Sequence, residues 1–153
     1  MKKMSFTLEM LQAILDGQKT QTRRIIKPEM GGKILGACGN AMAMEHYDTI
    51  TDEEDENVDL MHTINCPYGF VGQILNTQQM PDLQLQITEI RIEKLQDIKV
   101  SECLKEGIGD PFLYNDSITL FKEYWDSIFG LRAWESNPFV WVISFKPLKK
   151  VSV

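Results

Sequence analysis

Residues 8–28 read LEMLQAILDGQKTQTRRIIKP and combine a helical pattern with a strand pattern. Apolar residues recur at helical spacing in the first half, and Thr7 is a suitable N-cap. Gly17 predicts a left-handed C-cap, and Pro28 marks a later stop. Between these two stops, the β-branched residues favour a strand. The segment therefore predicts a helix that passes directly into a strand.

Polar and basic side chains concentrate where this predicted helix ends and the strand begins. Residues 19–24, KTQTRR, run straight into Ile25 and Ile26. Connections held by a rigid scaffold are common sites of binding and catalysis. The junction is therefore the first candidate for a functional site.

Composition predicts one domain that does not associate with membranes. The chain has 153 residues, enough for a single domain, 1–153, with its own hydrophobic core. No apolar run approaches the roughly 20 residues that span a bilayer, and the basic start MKKM does not lead into a signal-peptide core. Cys38, Cys66 and Cys103 lie far apart without C-x-x-C spacing, which favours a cytoplasmic protein with free thiols. No motif for a cofactor is present.

The formal net charge of −6 is unevenly distributed along the chain. Positions 34–90 contain ten acidic residues and no lysine or arginine, whereas positions 1–33 contain seven basic and three acidic residues. The overall charge argues against a protein that coats nucleic acid broadly. The uneven distribution is compatible with a small basic pocket that binds one nucleotide or nucleoside.

The remaining pattern predicts an α+β fold, because strands and helices do not strictly alternate. We expect a short strand near Met4, an irregular loop over residues 28–39, a strand over 73–77 and a long strand from residue 83. The alternation of that long strand slips between Ile87 and Ile90, which predicts a bulge. Ser101 is expected to cap a short helix. A second helix is expected from residue 116 or 117 to Gly130, followed by the apolar core strand FVWVISF. This order indicates a small curved sheet or barrel with helices at its ends.

We predict a hairpin insertion whose two strands are residues 41–50 and 58–64, joined by an acidic connection. The connection contains five consecutive acidic residues at positions 52–56. A solvated, mobile tip is the ordinary explanation for such a charge run. His46 and His62 flank it and could face each other, but two histidines without a defined third ligand are weak evidence for a metal. We therefore expect no metal site.

Four motifs, taken in order, are similar to those of one protein family. They are GQKTQTRR at residues 17–24, CPYG at 66–69 followed by Gly72, RIEKLQDI and SECLKEGI within 91–108, and YWDSIFG with NPFVWVISF within 124–145. The first resembles the G-x-K-x-x-T-x-R signature of the ASCH family, a branch of the PUA-like superfamily. The wider string resembles small ASCH proteins often found in bacterial prophages. The resemblance covers most of the chain in patches.

The resemblance implies a PUA-like small β-barrel and a set of site residues. Some ASCH members are amidohydrolases that remove the acyl group from N4-acetylcytidine with a threonine, a lysine and a glutamate. By motif, Thr22 resembles the nucleophile, Lys19 the proton acceptor and Glu106 the proton donor. Arg24 matches the arginine of the signature. We expect Arg23, Arg24 and Tyr68 to bind the substrate, with Tyr68 stacking on a base.

This assignment is chemically consistent. A threonine hydroxyl is a poor nucleophile until a base removes its proton. A lysine can act as that base only if its pKa falls from about 10.4 towards neutrality, through burial or nearby positive charge. Arg23 and Arg24 could supply that charge, and Glu106 could then protonate the leaving amine. Arg24 could also stabilise an oxyanion or hold a phosphate.

One segment departs from the family pattern. After CPYG, related proteins usually continue G-D-x-L-W-V-R-E, whereas positions 72–79 read GQILNTQQ. The acid, the tryptophan, the arginine and the glutamate are all absent. If this strand lines the pocket, substrate choice has changed or activity is lost.

Three functions therefore stay open at this point. The chain is an amidohydrolase for an acylated cytidine or similar nucleoside, a non-catalytic module that binds RNA or a modified nucleotide, or a phage-borne protein that binds a protein partner through its acidic hairpin. Each site residue also has an ordinary explanation. Lys19 and Glu106 could be solvated, and Thr22 could be an ordinary strand threonine. The two arginines could form surface or structural ion pairs, and Tyr68 could simply cover the core.

Overall fold

The computed structural model describes residues 2–48, 59–110 and 116–148. These residues form a mixed α+β fold with eight strands, three α-helices and a 3₁₀ turn at Leu95–Asp97. The strands are β1 (Lys3–Met4), β2 (Gln21–Ile25), β3 (Lys33–Gly39), β4 (Met42–Asp48), β5 (Asp59–Asn65), β6 (Ile74–Thr77), β7 (Gln84–Lys94) and β8 (Phe139–Leu148). The helices are α1 (Leu8–Leu15), α2 (Val100–Lys105) and α3 (Ser117–Phe129).

Five strands form a curved sheet in the order β1-β6-β7-β8-β2. The strands at its two edges approach each other, because Arg24 in β2 donates a 2.7 Å hydrogen bond to the carbonyl oxygen of Ser5, directly after β1. No backbone ladder joins β1 to β2 within the described ranges. The expected α+β class is confirmed, whereas the closed barrel stays a prediction.

Strands β3, β4 and β5 form a second, antiparallel sheet. The expectation of an irregular loop over residues 28–39 was therefore wrong for Lys33–Gly39. The register of β3 against β4 shifts twice, between Ile34 and Gly36 and again between Ala37 and Gly39. Both shifts end at glycines, which tolerate the backbone of a bulge. The glycines that suggested a loop thus mark bulges in a paired strand.

The predicted arms of the hairpin pair as β4 and β5, while the acidic run 52–56 lies outside the described residues. A protein partner for that run therefore stays a prediction. His46 lies opposite Met61, and His62 lies opposite Glu45. Because adjacent residues of a strand point to opposite faces, the two histidines do not face each other. That part of the expectation was wrong.

The long strands β7 and β8 form the centre of the molecule. The predicted bulge is confirmed by a register shift between Ile87 and Glu89. In β8, Trp141 and Ile143 pack in the core between the curved sheet, α1 and the second sheet, whereas Val140 and Val142 pack in a second cluster with α2 and α3. The apolar strand predicted from FVWVISF therefore has both faces buried, as expected.

The helix signals were mostly correct. The Thr7 side chain accepts a 3.2 Å hydrogen bond from the backbone N–H of Met10, and Gly17 has a φ of +82°. Helix α3 ends at Gly130 as predicted. Ser101 was the wrong cap, because α2 begins after Lys99 and Ser101 lies inside the helix. None of the described helices is long and apolar enough to cross a bilayer.

Glu45 fixes the segment between β2 and β3. Its side chain is buried, and its carboxylate accepts hydrogen bonds of 2.8–3.2 Å from the backbone N–H groups of Glu29, Met30 and Gly32. Burial alone would raise the pKa of this carboxyl, but the hydrogen bonds outweigh it and the pKa is lowered. The ionised carboxylate therefore stabilises the fold.

We predict that Glu45→Gln lowers the Tm at pH 7, because an amide presents a donor where the backbone requires an acceptor. Since the folded pKa lies below the ordinary 4.5, the difference from the unsubstituted protein should shrink as the pH falls below that value. Thermal denaturation followed by circular dichroism measures both effects. Glu29→Gln, which changes an exposed carboxylate in the same segment, is the matched control and should leave the Tm almost unchanged. Equal Tm values for the two variants would contradict this role of Glu45.

Candidate active site

A cavity of about 340 Å³ opens beside β2, between the N-terminal segment and α3. Its volume is within the range of small-molecule sites. The polar part of its lining includes five residues expected from the sequence, namely Lys19, Thr22, Arg23, Arg24 and Glu106. The structure thus brings together residues from two distant parts of the chain.

The edge position of β2 explains how consecutive residues reach one cavity. Thr22 and Arg24 lie opposite Ile143 and Trp141 of β8, on the inner face of the curved sheet. Arg23 lies opposite Val142, on the face covered by α2 and α3. No described strand pairs with the other side of β2. A cavity at this free edge is therefore accessible to side chains from both faces.

Glu106 reaches the cavity because the end of α2 is attached to the α1–β2 junction. The backbone N–H of Thr20 donates a 2.8 Å hydrogen bond to the carbonyl oxygen of Lys105. Gly107 follows with a φ of +89°, and a Cβ atom there would lie 3.2 Å from the Cβ of Ala13 and 3.3 Å from that of Lys19. Gly107 therefore provides both the left-handed turn and the close approach to α1.

Lys19 is a buried amine, which excludes the solvated turn lysine. Only 3% of the residue is exposed. Its Nζ donates 2.8 Å hydrogen bonds to the carbonyl oxygens of Gln21 and Glu106 and lies 3.5 Å from the Glu106 carboxylate. The pKa falls from 10.5 to about 8, chiefly because of burial, while Glu106 opposes the decrease. About a tenth of the molecules therefore carry a neutral amine at pH 7.

Thr22 and Arg24 lie side by side at the inner face. Thr22 is 5% exposed, and its Oγ1 accepts a 3.3 Å hydrogen bond from Nε of Arg24. The Arg24 guanidinium lies near two aromatic rings, 5.2 Å from the centre of Phe6 and 5.8 Å from that of Tyr68. Among the described residues, Arg24 forms no ion pair with a carboxylate. Its positive charge is therefore available to an anion or a developing oxyanion in the cavity.

Arg23 is the centre of a buried ion-pair network behind the cavity. Its guanidinium donates hydrogen bonds to Glu106 at 2.7 Å, to Glu102 at 3.0 Å and to Glu93. Burial alone would lower the pKa of Arg23, but Glu106 and then Glu93 raise it, so the side chain stays charged. Arg91 in turn donates to Glu102. The network fixes one oxygen of the Glu106 carboxylate, and the other oxygen is the one near Lys19.

Glu106 is therefore not the exposed helix-end carboxylate that was the alternative. It is 4% exposed, and its Oε1 accepts hydrogen bonds from Arg23 at 2.7 Å and from Gln21 at 3.3 Å.

Three residues around this carboxylate and Arg23 were not predicted as part of the site: Gln21, Glu93 and Glu102. The sequence offered no signal for them, because charged residues on a strand and a helix usually indicate a solvated face.

Tyr68 does not line this cavity. It lies at a second cavity of about 200 Å³, with Ile64, Lys27 and Trp141, and the centre of its ring is 5.8 Å from the Arg24 guanidinium. Tyr68 also packs against the main core, as in the ordinary explanation for a turn tyrosine. The expectation that it stacks on a base in the main cavity is therefore not supported by its position.

Aromatic residues form the wall opposite the polar groups. Phe6 lines the cavity from the N-terminal segment, and Phe121, Tyr124, Trp125 and Phe129 line it from α3. The sequence predicted the helix but not that part of its apolar face is left for a ligand. The wall gives a planar, uncharged group a surface on which to stack.

Only one residue of the segment that departs from the family pattern, Gln79, lines the cavity. The oxygen of its side-chain amide accepts a 3.0 Å hydrogen bond from the backbone N–H of Phe6, and the nitrogen donates a 2.7 Å hydrogen bond to the Ser5 hydroxyl.

No group of three or more metal-binding side chains is arranged to hold a metal ion in the part of the chain that is described.

The cavity therefore contains the buried amine of Lys19, the hydroxyl of Thr22 beside the Arg24 guanidinium, and the carboxylate of Glu106.

Comparisons with protein-family models, with curated proteins and with solved structures find no match to this chain. The functional interpretation therefore depends on the geometry of the cavity and on the motifs in the sequence.

Proposed function

We propose that this protein is an amidohydrolase that acts on N4-acetylcytidine or a related acylated nucleoside. The observation that carries the proposal is the burial of Lys19, with its lowered pKa, in the same cavity as Thr22 and Glu106. A threonine hydroxyl needs a base to remove its proton, and a partly neutral amine in the same cavity supports Lys19 in that role. The aromatic wall supports a nucleobase as the planar part of the substrate.

In the proposed first half-reaction, the neutral Nζ of Lys19 accepts the proton of the Thr22 hydroxyl as Oγ1 attacks the acyl carbonyl carbon. Arg24 already donates to Oγ1 and is the group that stabilises the negative charge on the former carbonyl oxygen. The C–N bond then breaks, and the proton passes through Glu106 to the leaving amine of cytidine. Glu106 is suited to this relay because it lies 3.5 Å from Lys19.

In the second half-reaction, water attacks the Thr22 ester. Lys19 accepts a proton from the water, the bond between Oγ1 and the acyl carbon breaks, and Oγ1 recovers its proton. The products are cytidine and acetate, and the enzyme returns to its starting state. No metal or redox cofactor enters either step of the proposal.

We propose further that the protein folds as a PUA-like barrel and is located in the cytoplasm. The curved five-stranded sheet, with its edge strands bridged by Arg24 and Ser5, supports a PUA-like barrel. The unpaired Cys38, Cys66 and Cys103 support a cytoplasmic location, where thiols stay reduced.

We predict that purified protein converts N4-acetylcytidine to cytidine and acetate, and that Lys19→Ala and Thr22→Ala each reduce kcat by at least about 1,000-fold. Chromatography of the nucleoside products measures the rate. Thr20→Ala is the matched control, because Thr20 is the neighbouring threonine but does not line the cavity. Activity that survives in both the Lys19 and the Thr22 variants would eliminate the mechanism.

We also expect the rate to rise with pH and to level off above a midpoint near pH 8. The reason is that Lys19 must lose its proton to act as a base, and its pKa is about 8. The same chromatographic assay across a pH series measures this profile. A rate that is independent of pH between 6 and 9 would show that Lys19 is not the base.

A second candidate function is the binding of RNA or a modified nucleotide without catalysis. The observation that favours it is the Arg24 guanidinium, which lacks a carboxylate partner among the described side chains and is therefore suited to a phosphate. Gln79, the one departure from the family pattern that lines the cavity, also fits a loss of activity.

If this candidate is correct, oligonucleotide binding weakens as salt increases, and Arg24→Ala weakens it further. Fluorescence anisotropy with a labelled single-stranded RNA measures the affinity. Lys146→Ala removes an exposed positive charge elsewhere and should have a much smaller effect. An affinity that does not change with salt would argue against this candidate.

A further inference from the structure

Tyr124 places an unassigned hydroxyl in the cavity. The residue lies on α3, is half-buried and lines the cavity next to Trp125. Its ring is 6.4 Å from that of Phe121, which fixes it within the aromatic wall. Among the described residues, no hydrogen bond to the Tyr124 hydroxyl is formed. Because Tyr124 is half-buried, its hydroxyl is open to water or to a ligand in the cavity.

The Tyr124 hydroxyl is protonated at neutral pH. Its pKa is raised, first by burial and then by the negative charges of Glu106 and Glu9, while Arg24 opposes the increase. At neutral pH the phenol is therefore a hydrogen-bond donor. Tyr124 also lines the same cavity as Glu106 and Arg24.

Two cationic donors that line the cavity, Lys19 and Arg24, already form hydrogen bonds within the protein. Lys19 donates to the Gln21 and Glu106 carbonyl oxygens. Arg24 donates to the Ser5 carbonyl oxygen and to Thr22. A nucleobase stacked on the aromatic wall would present ring-edge acceptors, such as O2 and N3 of cytosine, that need a donor. Trp125 Nε1 and Arg23 Nε also lack a partner among the described residues, but both side chains are buried, whereas Tyr124 is half-buried and presents its hydroxyl to a ligand.

We propose that Tyr124 is a specificity-determining residue whose hydroxyl donates a hydrogen bond to an acceptor on the edge of the substrate's base. This inference rests on the proposed function, because it takes an acylated nucleoside as the ligand. Tyr124 then selects a base with an acceptor edge, whereas Lys19, Thr22 and Glu106 act on the acyl group.

The test is the affinity of N4-acetylcytidine for Thr22→Ala protein, with and without the additional change Tyr124→Phe. Removal of the hydroxyl should weaken binding about 5- to 15-fold, as expected for one lost hydrogen bond. The Tm should not change, because the hydroxyl bonds to no described residue. Isothermal titration calorimetry gives the affinity. In protein with Thr22 intact, Tyr124→Phe should raise KM and leave kcat almost unchanged.

Tyr68→Phe is the matched control, because it removes the same hydroxyl from a tyrosine outside the cavity. Equal affinities with and without the Tyr124 hydroxyl would overturn the inference and leave the proposed function intact. A Tm that falls together with the affinity would assign Tyr124 a structural role instead. If Thr22→Ala protein does not bind the nucleoside and intact protein does not hydrolyse it, the proposed function fails, and the inference fails with it.

Discussion

The carboxylate of Glu106 is the group on which the candidate site depends. A buried charge is stable only when it is paired and hydrogen-bonded, and here Arg23, Gln21 and Lys19 surround it. Because these three come from the α1–β2 junction and Glu106 comes from the end of α2, the ion pairs hold two distant segments together. The same contacts bury the Lys19 amine, which lowers its pKa. Structural stability and chemical function therefore share one cluster of charges.

The curved sheet explains why this cluster opens into a cavity. Strand β2 lies at the sheet edge, so that Arg23 is held by the carboxylates on one face while Thr22 and Arg24 remain on the other. Arg24 bridges to the segment after β1, and α3 adds the aromatic wall. The result is a polar floor, in which Arg24 forms no ion pair with a described carboxylate, and an apolar wall. This combination suits a planar, acylated ligand.

The sequence predicted the strongly patterned parts of this arrangement. The α1 cap, the bulge in β7, the core strand β8 and the meeting of Lys19, Thr22 and Glu106 in one cavity agree with the motifs. Contacts between distant side chains were not predictable, because nothing local in Glu93 or Glu102 indicates that Arg23 lies beside them. Tyr68 and Tyr124 could not be distinguished for a related reason. Which tyrosine lines the cavity depends on how α3 and the CPYG turn pack, and no pattern within either segment specifies that.

The most direct test of the central claim is the titration of Lys19 itself. Nuclear magnetic resonance of ¹³C-labelled lysine should give a pKa near 8 for Lys19. Glu106→Gln should lower this value further, because the Glu106 charge opposes the effect of burial, whereas Glu123→Gln, at an exposed position on α3, should not change it. A Lys19 that titrates near 10.5 in both variants would show that the amine is neither buried nor coupled to Glu106, which would contradict the account.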